Sequence, residues 1–251
     1  MTKTLGGFLG EHGRDVVEVP TRDLERLDEE IRANFQATQV LDRIASWRLE
    51  PAERPLTRLA NHARALASRL GKGDLLVVIE GGDLRLAPKA WAGLWSALVH
   101  VVRNAVDHGI ESPSLRGDTG KPSRPRLRLS AQVVSRDLVI EFEDDGAGIN
   151  WGALRKAAMR RGLPADREED LVQAMFADDV TTRSEVTTIS GRGVGLAAVR
   201  QEVERLGGTI SVQSRTGGGS CFSFRFPLPS VGPRFGVEPP VDLVAARGAV
   251  A

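Results

Sequence analysis

His100-Val-Val-Arg-Asn-Ala-Val-Asp-His-Gly109 is the stretch that decides how this chain is read. Pro88 supplies a helix start, and Trp91, Leu94, Trp95, Leu98, Val101 and Val102 recur at helical spacing, so a long helix is predicted from Pro88 to Asp107 with Gly109 as its stop. On such a helix His100 and Asn104 stand four residues apart on one face. An imidazole and a carboxamide can there converge on a single polyphosphate. The carboxamide oxygen of Asn104 suits Mg²⁺, a hard cation that keeps several waters and shares phosphate oxygens. His100 could serve as a base or orient an attacking group.

Three glycine-rich segments follow in order: Asp144-Asp-Gly-Ala-Gly148, Gly191-Arg-Gly-Val-Gly195 and Gly217-Gly-Gly-Ser220. Asp144 is predicted to end a strand, with Gly146 and Gly148 letting the backbone pass tightly, so that its carboxylate can floor a pocket and accept the amino hydrogens of adenine. An Asx-turn after a strand is the competing reading of that pentapeptide. Gly191, Gly193 and Gly195 precede a helix without the spacing of a dinucleotide fingerprint and without the Lys-Ser/Thr ending of a Walker loop. Their expected use is close approach of a helix N-terminus to phosphate. Lys156 and Arg192 are candidate phosphate-facing cations.

Around these segments, Arg126–Val134 and Leu138–Glu143 alternate as an antiparallel hairpin, and Thr209–Ser214 with Ser220–Phe226 form a second strand pair. Leu75–Glu80 is a short β-branched run predicted to pair with Leu84–Leu86 across Gly81-Gly82-Asp83. Glu111–Pro125 reads as loop. Helices are expected at Trp151–Arg161, Glu168–Phe176 and Val194–Leu206. Strand pairs with helices grouped between them give an α+β two-layer sandwich.

Upstream, Thr21–Trp47 carries an apolar stripe predicted to form a helix or helical hairpin, and a second helix runs from Arg54-Pro55 to Leu70. A homodimer is one candidate for covering that stripe. The expected division is a helical segment at 1–50, a main domain at 51–229 and a disordered Pro-rich tail at 230–251.

Lys and Arg number 34 against 33 Asp and Glu, a formal charge of +1, which argues against a protein built to neutralise nucleic acid. The single Cys221 excludes an intrachain disulfide framework and is read as a reduced, buried thiol. No apolar run reaches membrane-spanning length, and Met1–Gly10 lacks a secretory signal, so no membrane insertion and a cytoplasmic address are expected.

Taken in order, the motifs resemble those of chemotaxis-type (CheA-like) histidine kinases of the GHKL ATPase superfamily. His100–Glu111 is similar to the N box, Asp144–Gly148 to the G1 box, Met175-Phe176 to the F box, Ser190–Gly195 to the G2 box and Gly217–Ser220 to the G3 box. The resemblance covers about Pro51 to Pro227. It implies a Bergerat-type ATP-binding fold in which Asn104 holds Mg²⁺, Asp144 reads adenine with support from Ser220, and Gly191, Gly193 and Gly195 shape a lid over ATP. His100 stands where many superfamily ATPases carry glutamate and chemotaxis kinases carry histidine.

The implied activity is transfer of the γ-phosphate of ATP to a histidine. The alternatives are a nucleotide-binding regulatory adaptor and an anti-sigma-type serine kinase. Phe176 is followed by Ala-Asp-Asp where the family has Pro-Gly, and Ser220 replaces the more usual Thr. Outside the N-box helix the histidines are His12 and His62, neither in a phosphoacceptor box. The acceptor is therefore expected on another protein, a histidine phosphotransfer domain or similar, with a response regulator downstream.

Overall fold

The structure, a computed structural model, describes residues 19, 21–34, 36–82, 84–177 and 195–228. The glycines at Gly191 and Gly193, Arg192, and the tail expected at 230–251 lie outside these residues. The chain divides into two compact units between Leu49 and Glu50.

The first unit holds α1 (Thr21–Arg32) and α2 (Ala37–Ser46), so the predicted stripe is a pair of helices broken at Asn34, whose φ is +62°. Glu30 and Arg43 join them by an ion pair of 2.8 Å. No residue of α1 is buried within this unit, and Leu24, Ile31, Leu41 and Ile44 are exposed.

The second unit is built on a five-stranded sheet in the order β2-β4-β5-β7-β6. Its strands are β2 (Leu76–Glu80), β4 (Arg126–Val134), β5 (Asp137–Asp144), β6 (Thr209–Arg215) and β7 (Gly219–Pro227). All neighbours are antiparallel except β2 and β4, which run parallel. Period-two alternation sends Leu138, Ile140 and Phe142 of β5 to one face, where they meet Leu127 and Leu129, Phe222 and Phe224. Against that face pack α3 (Glu53–Arg69), α4 (Pro88–Asn104) and α8 (Gly195–Arg205). Pro88 at the first position of α4 needs no amide partner, and its apolar stripe buries Trp91, Leu94, Leu98, Val101 and Val102. This two-layer α+β sandwich is the architecture expected from the sequence.

A smaller core lies between α6 (Trp151–Arg160) and α7 (Glu168–Met175), centred on Leu154, Ala158 and Leu171. Phe176 leaves it for the main core and meets Phe222 edge-on, ring centroids 6.4 Å apart.

Several expectations are corrected. Leu76–Glu80 does not pair with the following segment; β3 (Arg85–Leu86) pairs instead with β1 (Glu50–Pro51). The amides of Ala52 and Glu53 donate to Leu84 and Gly82 carbonyls, which draws that segment away from β2. The Glu111–Pro125 loop contains a helix, α5 (Pro113–Asp118), started by Ser112 accepting the Leu115 amide and by Pro113. The α4 helix does not run regularly to Asp107: Ala105–Gly109 is a π-helical turn closed by the Ile110 amide on the Ala105 carbonyl at 2.8 Å. Cys221 is half-buried, and burial pushes its thiol up to about 11, which keeps it protonated at neutral pH. Among the described residues no helix is long and apolar enough to cross a membrane.

Candidate functional site

Register places the site. Asp144 pairs with Leu127 on one side and Ser220 on the other, two residues beyond Phe142, so its side chain continues the helix-facing row at the end of the sheet. It is buried, 4% exposed, against Gly109, the last residue of the π-turn that prolongs α4. A methyl group added at Gly109 would come within 3.1 Å of Asp144 Oδ1. The Ala147 amide donates to the Gly109 carbonyl at 2.8 Å, and a side chain at Gly146 would overlap that carbonyl. The glycine there is required by the close passage of two backbones. Gly148, with φ +80°, passes equally close over Arg215.

Burial pushes the Asp144 carboxyl up to about 6. The backbone amides of Gly146 and Ser220 pull the other way, while the charges of Asp145 and Glu111 push it higher. The Gly146 amide donates to Asp144 Oδ1 at 2.9 Å. Ser220 shares its hydroxyl with Ser214 at 3.1 Å, and Ser214 Oγ accepts the Ile149 amide at 2.7 Å. The Ser220 backbone bears on the Asp144 carboxyl, while the Ser220 hydroxyl is engaged with Ser214. An open hollow of about 260 Å³ lies at this sheet end, lined by Glu143, Gln213 and Cys221 as well as Asp144, Ser214 and Ser220, and His100, Asn104 and Gly109 do not line it.

At the other end, His100 and Asn104 are half-buried on the last turns of α4. A methyl at Gly195, the first residue of α8, would lie 3.8 Å from His100 Nδ1. The amide-rich N-terminus of α8 therefore opens beside His100, a local field suited to anions. Burial, and next the charge of Arg103, lower the His100 pKa, so the imidazole is neutral at pH 7 and able to accept a proton.

Of the predicted site residues, the structure brings Asp144, Gly146 and Ser220 together around Gly109, and His100 with Gly195. Lys156 is exposed on α6 and makes no hydrogen bond or ion pair to the other described candidates.

Sequence reasoning missed the charges that hold this arrangement. Arg116 of α5, its side chain wholly buried, joins Glu111 and Asp145, and Lys121 reaches Glu111 and the Asp145 and Gly146 carbonyls. Burial alone would raise the Glu111 carboxyl; hydrogen bonding to Lys121 and the charges of Lys121 and Arg116 hold it below its ordinary value instead. Lys72, in the turn after α3, donates to the Asp107 and Ile110 carbonyls at 3.1 and 2.7 Å, capping the π-turn with a cation. The Ser112-Pro113 helix start was a signal that could have lifted Arg116 out of a solvated loop.

The family described as histidine kinase-, DNA gyrase B-, and HSP90-like ATPase matches residues 93–230. A gliding motility regulatory protein of Myxococcus xanthus is 37% identical over 195 residues, covering 75% of this chain and 25% of its own length. The chemotaxis protein CheA of Halobacterium salinarum is 36% identical over 215 residues, 82% of this chain and 32% of its own. That of Bacillus subtilis is 34% identical over 222 residues, with 82% and 33% covered. The chain spans a quarter to a third of the length of these relatives. With the family match covering more than half of its residues, the chain belongs to the histidine kinase-, DNA gyrase B- and HSP90-like ATPase family.

Proposed function

We propose that the chain is the ATP-binding catalytic module of a chemotaxis-type protein-histidine kinase, transferring the γ-phosphate of ATP to a histidine supplied by a phosphotransfer domain or similar protein, with a response regulator downstream. One observation carries the reading: a single helix bears His100 and Asn104 and ends, at Gly109, against the buried carboxylate of Asp144. That spans the two demands of an adenine nucleotide, a hydrogen-bond acceptor for the base amino group and polar groups for the phosphates. The relatives named as chemotaxis proteins support the same reading.

In this reading Asp144 accepts from the adenine amino group, with Gly146, Gly148 and Ser220 shaping its surroundings. Asn104 supplies one oxygen to Mg²⁺. Among the described residues no group of three or more His, Cys, Asp or Glu is placed to hold a metal unaided, and a cation shared with nucleotide phosphates fits that donor set. Mg²⁺, when bound, would neutralise phosphate charge. His100, neutral and beside Gly195, orients the incoming acceptor group or takes its proton. Lys156 and Arg192 are assigned as phosphate-facing cations, and Gly191, Gly193 and Gly195 as the glycines that shape a lid over ATP. Phosphoryl transfer depends chiefly on positioning and charge stabilisation, so an acceptor supplied by another chain is chemically sufficient.

The exposed Leu24, Ile31, Leu41 and Ile44 of the first unit support a homodimer through residues 1–50. The site acts in the cytoplasm, where ATP and response regulators meet.

The test is incubation with γ-labelled ATP and Mg²⁺, with phosphotransfer domains added or withheld, comparing the wild type with Asn104→Ala and Asp144→Ala. Acid-labile, base-stable label on the partner that vanishes in both variants is the expected result. Tight ATP binding with no label transferred to any phosphotransfer domain would replace the kinase by a nucleotide-binding adaptor. Acid-stable label on serine would replace it by a serine kinase.

A further inference from the structure

We propose that Arg116, assisted by Lys121, is a positioning residue for base recognition, clamping the Asp144–Gly146 turn to the end of the His100–Gly109 helix. The inference rests on the nucleotide reading above and adds residues that it does not contain.

Four of the five N–H donors of the guanidinium are spent within this junction. Nε donates to the Pro122 carbonyl at 2.8 Å, Nη1 to Glu111 Oε2 at 3.1 Å and the Asp145 carbonyl at 3.4 Å, and Nη2 to Asp145 Oδ2 at 2.8 Å. Lys121 Nζ adds Glu111 Oε1 at 2.6 Å and the carbonyls of Asp145 and Gly146 at 3.0 and 2.7 Å. Asp145 Oδ1 in turn accepts the Arg126 amide at 3.0 Å. Glu111 follows directly on Ile110, which closes the π-turn. The segment leaving the helix is thus wrapped round the turn that carries Asp144.

Global stability is a poor explanation for such a cluster. Replacing a buried ion network by apolar groups of similar volume is often neutral or stabilising, because desolvation offsets the attraction. Half of these bonds go to main-chain carbonyls, and what they fix is the path of Asp145 and Gly146. That path aims the Gly146 amide at Asp144 Oδ1. The network also neutralises Asp145 and Glu111, the two carboxylates whose charges bear on Asp144 from its own strand end and from the helix end. From β7 the neighbouring titratable group is the Cys221 thiol, which is neutral. Without Arg116, Asp144 would face two less compensated anions and a looser amide donor. Both changes favour its protonated form, which is the wrong partner for an amino hydrogen.

The experiment uses the full chain with Arg116→Met, Arg116→Lys and Lys121→Met. Carboxyl ¹³C NMR reads the titration midpoint of Asp144 in nucleotide-free protein, and calorimetry compares affinity for ATP with that for inosine triphosphate, which lacks the amino group. Arg116→Met is expected to raise the midpoint by about one pH unit and to cut the preference for ATP about tenfold, with Arg116→Lys recovering part of both. Lys121→Met moves both in the same direction by less. Arg116→Met that melts cooperatively with midpoint and preference unchanged overturns the proposal. Should Arg116→Met fail to fold, Lys121→Met, whose side chain is 15% exposed, decides by the same two readouts. Because the midpoint needs no nucleotide, a wild type that does not prefer ATP refutes the nucleotide reading while the midpoint still judges Arg116.

Discussion

The two ends of the site are built by different means. At the Asp144 end the backbone does most of the construction: Gly146 and Gly219 pass other main chain too closely for side chains, Gly109 lies tight against the Asp144 carboxyl, and buried charges hold the turn from behind. At the His100 end, His100 stands beside the first residue of α8, and Asn104 follows four residues on along the same helix. The Asp144 end is therefore pre-formed, while the other gains its chemistry from individual groups. Damage should follow the same division. Removing a side chain at the His100 end should abolish chemistry and leave the fold intact, whereas crowding the Asp144 end should cost stability.

The largest effect is expected for Asn104→Ala. In the proposed role Asn104 supplies an oxygen to Mg²⁺, and its loss should lower the rate of phosphoryl transfer by about 10³-fold, the scale of one lost electrostatic contact in a transition state. Stability should change by less than about 0.5 kcal/mol, alanine being a good helix former. Single-turnover transfer and urea denaturation on the same preparation check both halves. A large loss of stability would break the contrast between the ends.

Next in size is Gly146→Ala. The added methyl would overlap the Gly109 carbonyl and crowd Asp144 Oδ1, with backbone rather than a flexible side chain in the way. A destabilisation of about 2–4 kcal/mol is expected by denaturant titration. Gly117→Ala, in α5 with open space around it, is the control and should be neutral or stabilising by up to about 1 kcal/mol.

How much of this contrast was legible in the sequence follows from range. The alternation through Leu138, Ile140 and Phe142 put Asp144 at the end of a core-facing row, and the stripe of α4 put His100 and Asn104 together; both are local patterns with a fixed period. The partner of β2 was not legible, because a short β-branched run carries no label for a strand some fifty residues away, while Gly81-Gly82 beside it imitates a turn. Nor was the π-turn at Ala105–Gly109, whose extra residue per turn leaves no periodic signature. Arg116 was hidden by composition: a charged residue amid Pro, Gly and Ser reads as solvated, and against that stood only the Ser112-Pro113 helix start, its partners being tertiary. The Asp144 end, held by such partners, was correspondingly the less visible of the two in its supports, though not in Asp144 itself.

Burial pushes the Asp144 carboxyl up to about 6, above its ordinary 3.8. In the proposed role its carboxylate form accepts from an adenine amino group, so ATP affinity should rise about tenfold between pH 5 and pH 7 and level off above. Asp144→Asn should bind weakly with no such dependence, and calorimetry at matched ionic strength checks this. Stability runs the other way. The native state holds this proton to higher pH than the unfolded chain, so the group's contribution is greatest below 3.8, falls as pH rises toward 6 and is constant beyond. Affinity that stays flat across pH 5 to 7 would remove Asp144 from base recognition.

The smallest effect tests whether the Asp144 end is held redundantly. Ser214 Oγ accepts the Ile149 amide at 2.7 Å and lies 3.1 Å from both the Gly219 carbonyl and Ser220 Oγ, so it ties the start of the α6 segment to the turn between β6 and β7. Ser214→Ala removes that junction and is expected to cost about 1 kcal/mol, or about 2–4 °C in Tm. ATP affinity should change by less than about threefold, since the Gly146 and Ser220 amides still hold Asp144. The double variant with Ser220→Ala sharpens the point. Two hydroxyls sharing one hydrogen bond should lose it only once, giving a combined cost below the sum of the single costs by about 0.5 kcal/mol or more in a double-mutant cycle. Strict additivity would mean that the hydroxyls act separately and that the pre-formed end depends on its glycines and buried charges alone.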